Sequence, residues 1–127
     1  MTRHRGDGGQ ATVELALVLP VFVMLLLLVI QVGVLVRDQV MVIHAAREGA
    51  RAAAVTGANA AAAENAALAA AGLPLRSTDV VTTPPGTKHD LVRVEVRYTD
   101  STNVPLVGRL LGDVHITGTV SMRVEPG

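Results

Sequence analysis

The stretch that decides the fold is LALVLPVFVMLLLLVIQVGVLV, residues 15–36. This apolar segment carries no charged side chain, and only Pro20, Gln31 and Gly33 interrupt it. Because about 20 apolar residues in a helix cross the hydrocarbon core of a bilayer, it predicts a membrane-spanning helix. It is longer than the roughly 7–15 apolar residues of a cleaved secretory signal, and no small-x-small cleavage sequence follows it directly. We therefore expect a retained anchor, with a secreted protein cleaved after the segment as the alternative.

The rest of the chain is small. The 127 residues suffice for one domain, and the part outside the apolar segment supports only a small core. That core would gain from packing on the long helix or on neighbouring subunits. The formal net charge is zero and no basic stripe is present, which argues against nucleic-acid binding. The absence of cysteine excludes disulfides, thiolate catalysis and cysteine-based metal sites.

A single carboxylate stands at the start of the apolar segment. The preceding residues read MTRHRGDGGQATVE, so Glu14 is the last residue before Leu15. A charge in or beside a membrane helix is costly unless it has a partner, which makes Glu14 a candidate functional residue.

Positive charges flank the apolar segment on both sides, so charge bias alone leaves its orientation open. Arg3 and Arg5 precede it, and Arg37, Arg47 and Arg51 follow it. The simpler topology keeps the short N-terminus inside and exports the larger C-terminal part.

Helical periodicity continues beyond the apolar segment and predicts a first helix from about Ala11 to about Val55, ended by Gly57. Small residues crowd its second half and permit close packing. Pro20 removes one helical hydrogen bond and predicts a kink, although a tolerated proline is an equal alternative. The predicted packing face, apolar except at one arginine, comprises Val36, Val40, Ile43, Arg47, Ala50 and Ala54.

Downstream of the first helix, the pattern predicts a short alanine-rich helix over 60–71, capped by Asn59 and Gly72. Strict alternation of apolar and polar residues then predicts strands over 91–99 and 114–125, each with one buried face. A further strand is predicted over 79–83, and a short helix or turn over 103–111. The predicted fold class is α+β, with an antiparallel sheet of two to four strands packed on the helices.

Three blocks together resemble the TadE family of pilin-like proteins, which belong to tight-adherence (Tad, or Flp) pilus systems. They are GGQATVELALVLPVFVMLLLLVIQVG at residues 8–33, AAREGARAAAVTG at 45–57, and the final strand ending VSMRVE at 120–125. The resemblance covers nearly the whole chain and is strongest between Gly9 and Gly57. It implies a minor pilin or pseudopilin of the type IV filament superfamily.

The resemblance also implies how the chain is processed. A prepilin peptidase would cut on the cytoplasmic side between Gly9 and Gln10, which makes Glu14 the fifth mature residue. Residues 1–9 would be the leader, 10–36 the transmembrane and assembly helix, and 37–127 the exported domain. The chain departs from the major Tad pilins in having Leu15 where they have Tyr, which favours a minor subunit. Gly8 leaves an alternative cut one residue earlier, which the motif does not favour.

In an assembled filament, the Glu14 carboxylate of one subunit can neutralise the new N-terminus of a neighbour and set the stagger between them. The alternative is that Glu14 is solvated and idle at the mouth of the helix. The implied partners are the prepilin peptidase, other pilins and minor pilins, the Tad inner-membrane assembly platform and the lipid bilayer. The implied location is the cytoplasmic membrane, as a single-pass protein whose N-terminus is cytoplasmic.

Other chemistry is not indicated. The four histidines, His4, His44, His89 and His115, share no metal-ligand spacing, and Arg5-Gly6-Asp7 lies in the predicted leader. No nucleophile elbow, phosphate loop or paired carboxylates occur, so we expect no enzymatic activity and no cofactor. The runner-up function is a single-pass, signal-anchored protein whose exported domain binds a partner without polymerising.

Overall fold

A computed structural model describes residues 7–86, 90–100, 109 and 112–125, and within them the chain has the predicted α+β architecture. The predicted helix or turn over 103–111 lies outside the described residues, apart from residue 109. In chain order, the elements are α1 (Asp7–Val55), α2 (Ala60–Ala71), a 3-10 turn (Leu75–Ser77), β1 (Thr78–Thr83), β2 (Leu91–Asp100) and β3 (Val114–Arg123).

Helix α1 is a single element of 49 residues, which at 1.5 Å per residue is about 73 Å long. It begins four residues before the predicted start and ends at Val55 as predicted. At that end, the Thr56 hydroxyl donates to the Ala52 carbonyl at 2.6 Å, and Gly57 adopts a left-handed φ of 68°. Glycine takes this conformation without strain, so Gly57 ends the helix.

Helix α2 is bounded by the two caps that its sequence predicts. The Asn59 side chain accepts a hydrogen bond from the Ala62 amide at 3.2 Å, and Gly72 takes a left-handed φ of 58°. Its alanine face packs closely on α1, because a Cβ added at Gly49 would lie 3.0 Å from the Ala63 carbonyl oxygen. Close approach of the two helices therefore depends on alanine side chains on α2 and on the absence of a side chain at Gly49.

The sheet is antiparallel, with strand order β1-β2-β3. Val96 at the centre of β2 lies opposite Val80 of β1 and Gly118 of β3. The alternation predicted for β2 is confirmed, since its inward side chains are buried. The core comprises Val92, Val94, Val96, Tyr98 and Ile116 of the sheet, Val42, Ala45, Ala46, Ala50, Ala53, Ala54, Ala63, Ala67 and Ala71 of the helices, and Leu73 just after α2.

The packing face predicted for the second half of α1 is partly wrong. Ala50 and Ala54 are buried as expected, but Val36 and Val40 are 58% and 60% exposed, and Arg47 is exposed. The buried face is instead displaced around the helix to a set of positions in which alanine and glycine predominate: half-buried Leu35, and buried Asp38, Val42, Ala45, Ala46, Gly49 and Ala53. Small side chains let the backbones approach, whereas the valine stripe would hold the sheet farther away.

The closest approach of helix and sheet is at Gly118, where β3 crosses α1. A Cβ added there would lie 2.9 Å from Val42 Cγ1 and 3.1 Å from the Val42 carbonyl carbon and oxygen. Because the backbone of α1 is part of this contact, a rotamer change cannot relieve the overlap.

We expect Gly118→Ala to destabilise the domain by roughly 1–3 kcal/mol, because β3 must move away from α1 to admit the methyl group. The measurement is calorimetric unfolding of the purified full chain in detergent. The matched control is Gly86→Ala, where an added Cβ meets no atom within 4 Å. Equal stability of the two variants would contradict the close contact.

Candidate functional site

The N-terminal part of α1 stands clear of the rest of the molecule. Residues 10–30 form this uncovered segment, in which every side chain is exposed except the half-buried Leu27. The helix that contains it is long and apolar enough to cross a membrane. The predicted site residues Gly9, Gln10, Glu14 and Pro20 all lie at its N-terminal end, and the structure brings no other part of the described chain over them.

The predicted cleavage position lies in the first turn of α1, which begins at Asp7. Gly9 has no left-handed φ, and a Cβ added to it would meet no atom within 4 Å. Glycine within a helix costs roughly 1 kcal/mol relative to alanine. Among the described residues, neither backbone conformation nor packing therefore requires glycine at this position.

Gln10 and Glu14 are four residues apart in the helix and lie on the same face, about 6 Å apart along its axis. The ion pairs among the described residues are Arg37 with Asp38 and Arg97 with Glu95, and neither includes Glu14. Leu15 beside it is exposed, so the carboxylate lies at the end of a surface that is otherwise apolar.

Pro20 lies six residues beyond Glu14, about 9 Å farther along the helix. Because proline has no amide hydrogen, it cannot donate to the carbonyl of Ala16 one turn earlier. Helix α1 nevertheless continues through this position to Val55. The predicted kink stays a prediction.

Two polar side chains outside the predicted site are buried where the C-terminal domain meets α1. Gln31 is 2% exposed and its Nε2 has no hydrogen-bond partner, while Asp38 is 4% exposed. The Asp38 carboxylate lies 3.8 Å from the guanidinium of Arg37, which is largely exposed and therefore screened by water. The signal that could have found Asp38 is its spacing from Leu35, Val42 and Ala45 on the buried face.

Burial raises the pKa of Asp38 above its ordinary value of 3.8, and the nearby carboxylate of Asp100 raises it further, whereas Arg37 lowers it. Burial also raises the pKa of Tyr98, and the charges of Asp100 and Asp38 act in the same direction. The ionised form of Asp38 is therefore less favourable in the folded state than in the unfolded chain.

We expect Asp38→Asn to be more stable than the wild type at pH 7. The pKa of Asp38 is higher in the folded state than in the unfolded chain. Its contribution to the free energy of unfolding is therefore fully present below pH 3.8 and is lost as the pH rises through the folded-state pKa. The advantage of the variant should therefore shrink as the pH falls toward 3.8. Calorimetry from pH 4 to pH 8 measures this, with Asp90→Asn at an exposed position as control. A variant less stable than the wild type at pH 7 would contradict the burial cost.

Residues suited to metal binding do not cluster in the described part of the chain. His44 is exposed on α1, and His115 Nδ1 lies 3.1 Å from the Thr99 hydroxyl, while His4 and His89 fall outside the described residues. An open cleft of about 620 Å³ lies beside the solvent face of the sheet, and its lining includes Arg76, Arg97 and His115. That the chain is not an enzyme stays a prediction.

Comparison with protein families finds that residues 9–51 match the family described as TadE-like protein. The matched residues include the whole uncovered segment and most of the part of α1 that packs on the sheet. It confirms the resemblance inferred from the sequence over those residues. No curated protein and no solved structure matches the chain.

Proposed function

From the similarity of residues 9–51 to TadE-like proteins, we propose that the chain is a minor pilin or pseudopilin that takes part in assembling a Tad pilus used for adherence or secretion. The observation that carries the proposal is the uncovered segment of α1, an exposed apolar helix with Gly9, Gln10 and Glu14 at its start. A surface of this kind is stable only in lipid or against other apolar helices. A pilin uses it in both settings, first as a membrane anchor and then as a filament core.

Processing is the first step of the proposed pathway. A prepilin peptidase would remove residues 1–9 on the cytoplasmic side, and Gln10 would become the new N-terminus. The scissile bond joins Gly9 to Gln10 within α1. Glycine at position 9 weakens the helix locally and leaves the carbonyl of the scissile bond uncrowded.

The test is mass spectrometry of the N-terminus after purification from membranes of the native host. We expect the wild type to begin at Gln10, and Gly9→Ala to accumulate with residues 1–9 attached, because the methyl group stabilises the turn and crowds the scissile carbonyl. Gly33→Ala, where an added Cβ also meets nothing within 4 Å, should be cut normally. A wild-type protein that retains its N-terminal residues would favour the signal-anchored alternative.

After cleavage, the amino group of Gln10 and the carboxylate of Glu14 are opposite charges on one apolar helix. Each is expensive in an apolar surrounding and much less so when paired. Within one chain they lie one helical turn apart, so the pair can form before assembly. In a filament, the same carboxylate can instead meet the N-terminus of a neighbouring subunit and define the axial stagger.

We expect Glu14→Gln to insert and be processed normally but to lose at least about tenfold in incorporation into pili, because the neighbouring amino group is left unpaired. The measurement is the ratio of mature protein in sheared pili to that in membranes. Glu64→Gln is the matched control, since this glutamate is exposed on α2. Wild-type incorporation of Glu14→Gln would exclude the pairing role.

The partners in this proposal are the prepilin peptidase, other pilins and minor pilins, the Tad inner-membrane assembly platform and the lipid bilayer. The proposed location is the cytoplasmic membrane, with the N-terminus in the cytoplasm and the C-terminal domain exported. The signal-anchored, non-polymerising protein is the second candidate, because its exported domain would need the same helix as a permanent anchor.

A further inference from the structure

The outer face of the sheet, opposite the face that packs on the helices, carries two adjacent rows of polar side chains. In the first row, Arg97 of β2 lies directly opposite Asp79 of β1 and Thr117 of β3. In the second row, Thr99 of β2 lies opposite His115 of β3. Neighbouring strands are about 4.8 Å apart and the two rows about 7 Å apart, so these five residues form a compact polar platform. All five line the open cleft of about 620 Å³.

Several hydrogen-bonding groups of the polar platform are held in place and still available. Arg97 donates from Nε to the Glu95 carboxylate, which orients the guanidinium and leaves its two terminal nitrogens. Asp79 lies opposite Arg97, yet the ion pairs among the described residues do not include it. His115 contacts the Thr99 hydroxyl through Nδ1, which leaves Nε2. Since these side chains project from paired strands, their relative positions are set before any ligand arrives.

The charges that line the cleft cancel. Arg76 and Arg97 bring two guanidinium groups, and Asp79 and Asp113 bring two carboxylates. An anion would be attracted by the arginines and repelled by the aspartates, and a cation would meet the reverse. A hydroxyl group both donates and accepts, so it can bond to a guanidinium and to a carboxylate at once. The lining therefore favours an uncharged ligand that carries several hydroxyl groups.

We propose that the polar platform binds a neutral saccharide, whose hydroxyl groups bridge Arg97 and Asp79. A sugar ring holds several hydroxyls on one rigid frame, so few rotatable groups must be ordered on binding. The cleft volume of about 620 Å³ lies within the range of roughly 300–1,000 Å³ that is typical of small-ligand sites. The inference rests on the proposed function only for its setting, because a pilus used for adherence would meet saccharides at a surface.

The first experiment presents the full chain to a printed array of oligosaccharides. The chain is held in lipid nanodiscs without glycolipid, because detergents with sugar headgroups would compete for the cleft. The array carries neutral hexose, deoxyhexose and N-acetylhexosamine oligomers, together with acidic oligomers that bear a carboxylate or a sulfate. We expect retention of neutral members. Retention of N-acetylhexosamine oligomers alone would indicate a cell-wall type of glycan, and retention of hexose or deoxyhexose oligomers would indicate a surface glycan of another type.

The second experiment titrates the best-retained neutral oligosaccharide by calorimetry against two variants. We expect Arg97→Ala and Asp79→Ala each to weaken binding by about tenfold or more, because each removes a charged hydrogen-bonding partner. Both side chains are exposed, so neither substitution opens the core. Arg93→Ala is the matched control, since Arg93 is exposed on the same face of β2 but does not line the cleft. It should bind as the wild type does.

Three results would overturn the proposal. The first is an array on which no neutral oligosaccharide is retained above the level of the Arg97→Ala variant. The second is retention of acidic members only, with tighter binding by Asp79→Ala, which would indicate an anion site. The third is an equal loss of binding in Arg93→Ala, which would place the saccharide elsewhere on the sheet.

The N-terminal mass of the mature protein, read separately, keeps the two proposals distinguishable. An uncleaved protein that binds the saccharide through Arg97 and Asp79 would contradict the pilin function and leave the saccharide site standing. A protein cut at Gln10 that binds no neutral oligosaccharide would do the reverse.

Discussion

The folded part of the molecule depends on the contact between β3 and α1 at Gly118 and Val42. This contact leaves no room for a single added carbon atom. It brings the whole apolar face of the sheet against the helix, since Val96 of β2 is paired with Gly118 and Val80 of β1 is paired with Val96. Few large side chains are buried in this domain, so close approach of small ones supplies the core.

Helix α1 also lies in two different environments along its length. Its first half presents Leu, Val and Phe on all sides, whereas its second half presents Ala and Gly on the side toward the sheet and α2. The change in residue size along one unbroken helix marks where lipid or neighbouring helices give way to the chain's own core. That boundary is clear in the burial pattern, which changes at Gln31, and is not visible in hydropathy, which stays high through Val36.

Much of this fold could be predicted from the sequence because its signals are local. The caps at Asn59 and Gly72 bound α2 through their own hydrogen bond and backbone conformation, and the alternation in β2 follows from one buried face. No local signal in the sequence determines which face of the second half of α1 is buried. Two stripes of similar spacing compete there, and the choice between them depends on how near β3 can come. Asp38 was missed for the same reason, since a charged residue on the chosen face becomes buried only after that choice.

The sequence allowed the residues of the candidate site to be proposed, but not their exposure or their surroundings in the structure. Gly9, Gln10 and Glu14 follow from their spacing and from the apolar segment behind them. Their exposure follows from the extent of the domain, which no pattern in the first 36 residues reveals. Within the described residues, the geometry adds that neither a positive φ nor a close contact requires glycine at position 9.

Tyr98 gives the molecule an unusual optical property. The chain has one tyrosine and no tryptophan, and that tyrosine is buried on the inner face of β2. Its ring lies near the carboxylate of Asp38 at the end of the domain that meets the uncovered segment. Ultraviolet fluorescence and near-ultraviolet dichroism of the unlabelled protein therefore come almost entirely from one ring. The natural chain thus carries a built-in reporter at the junction between its domain and its anchor.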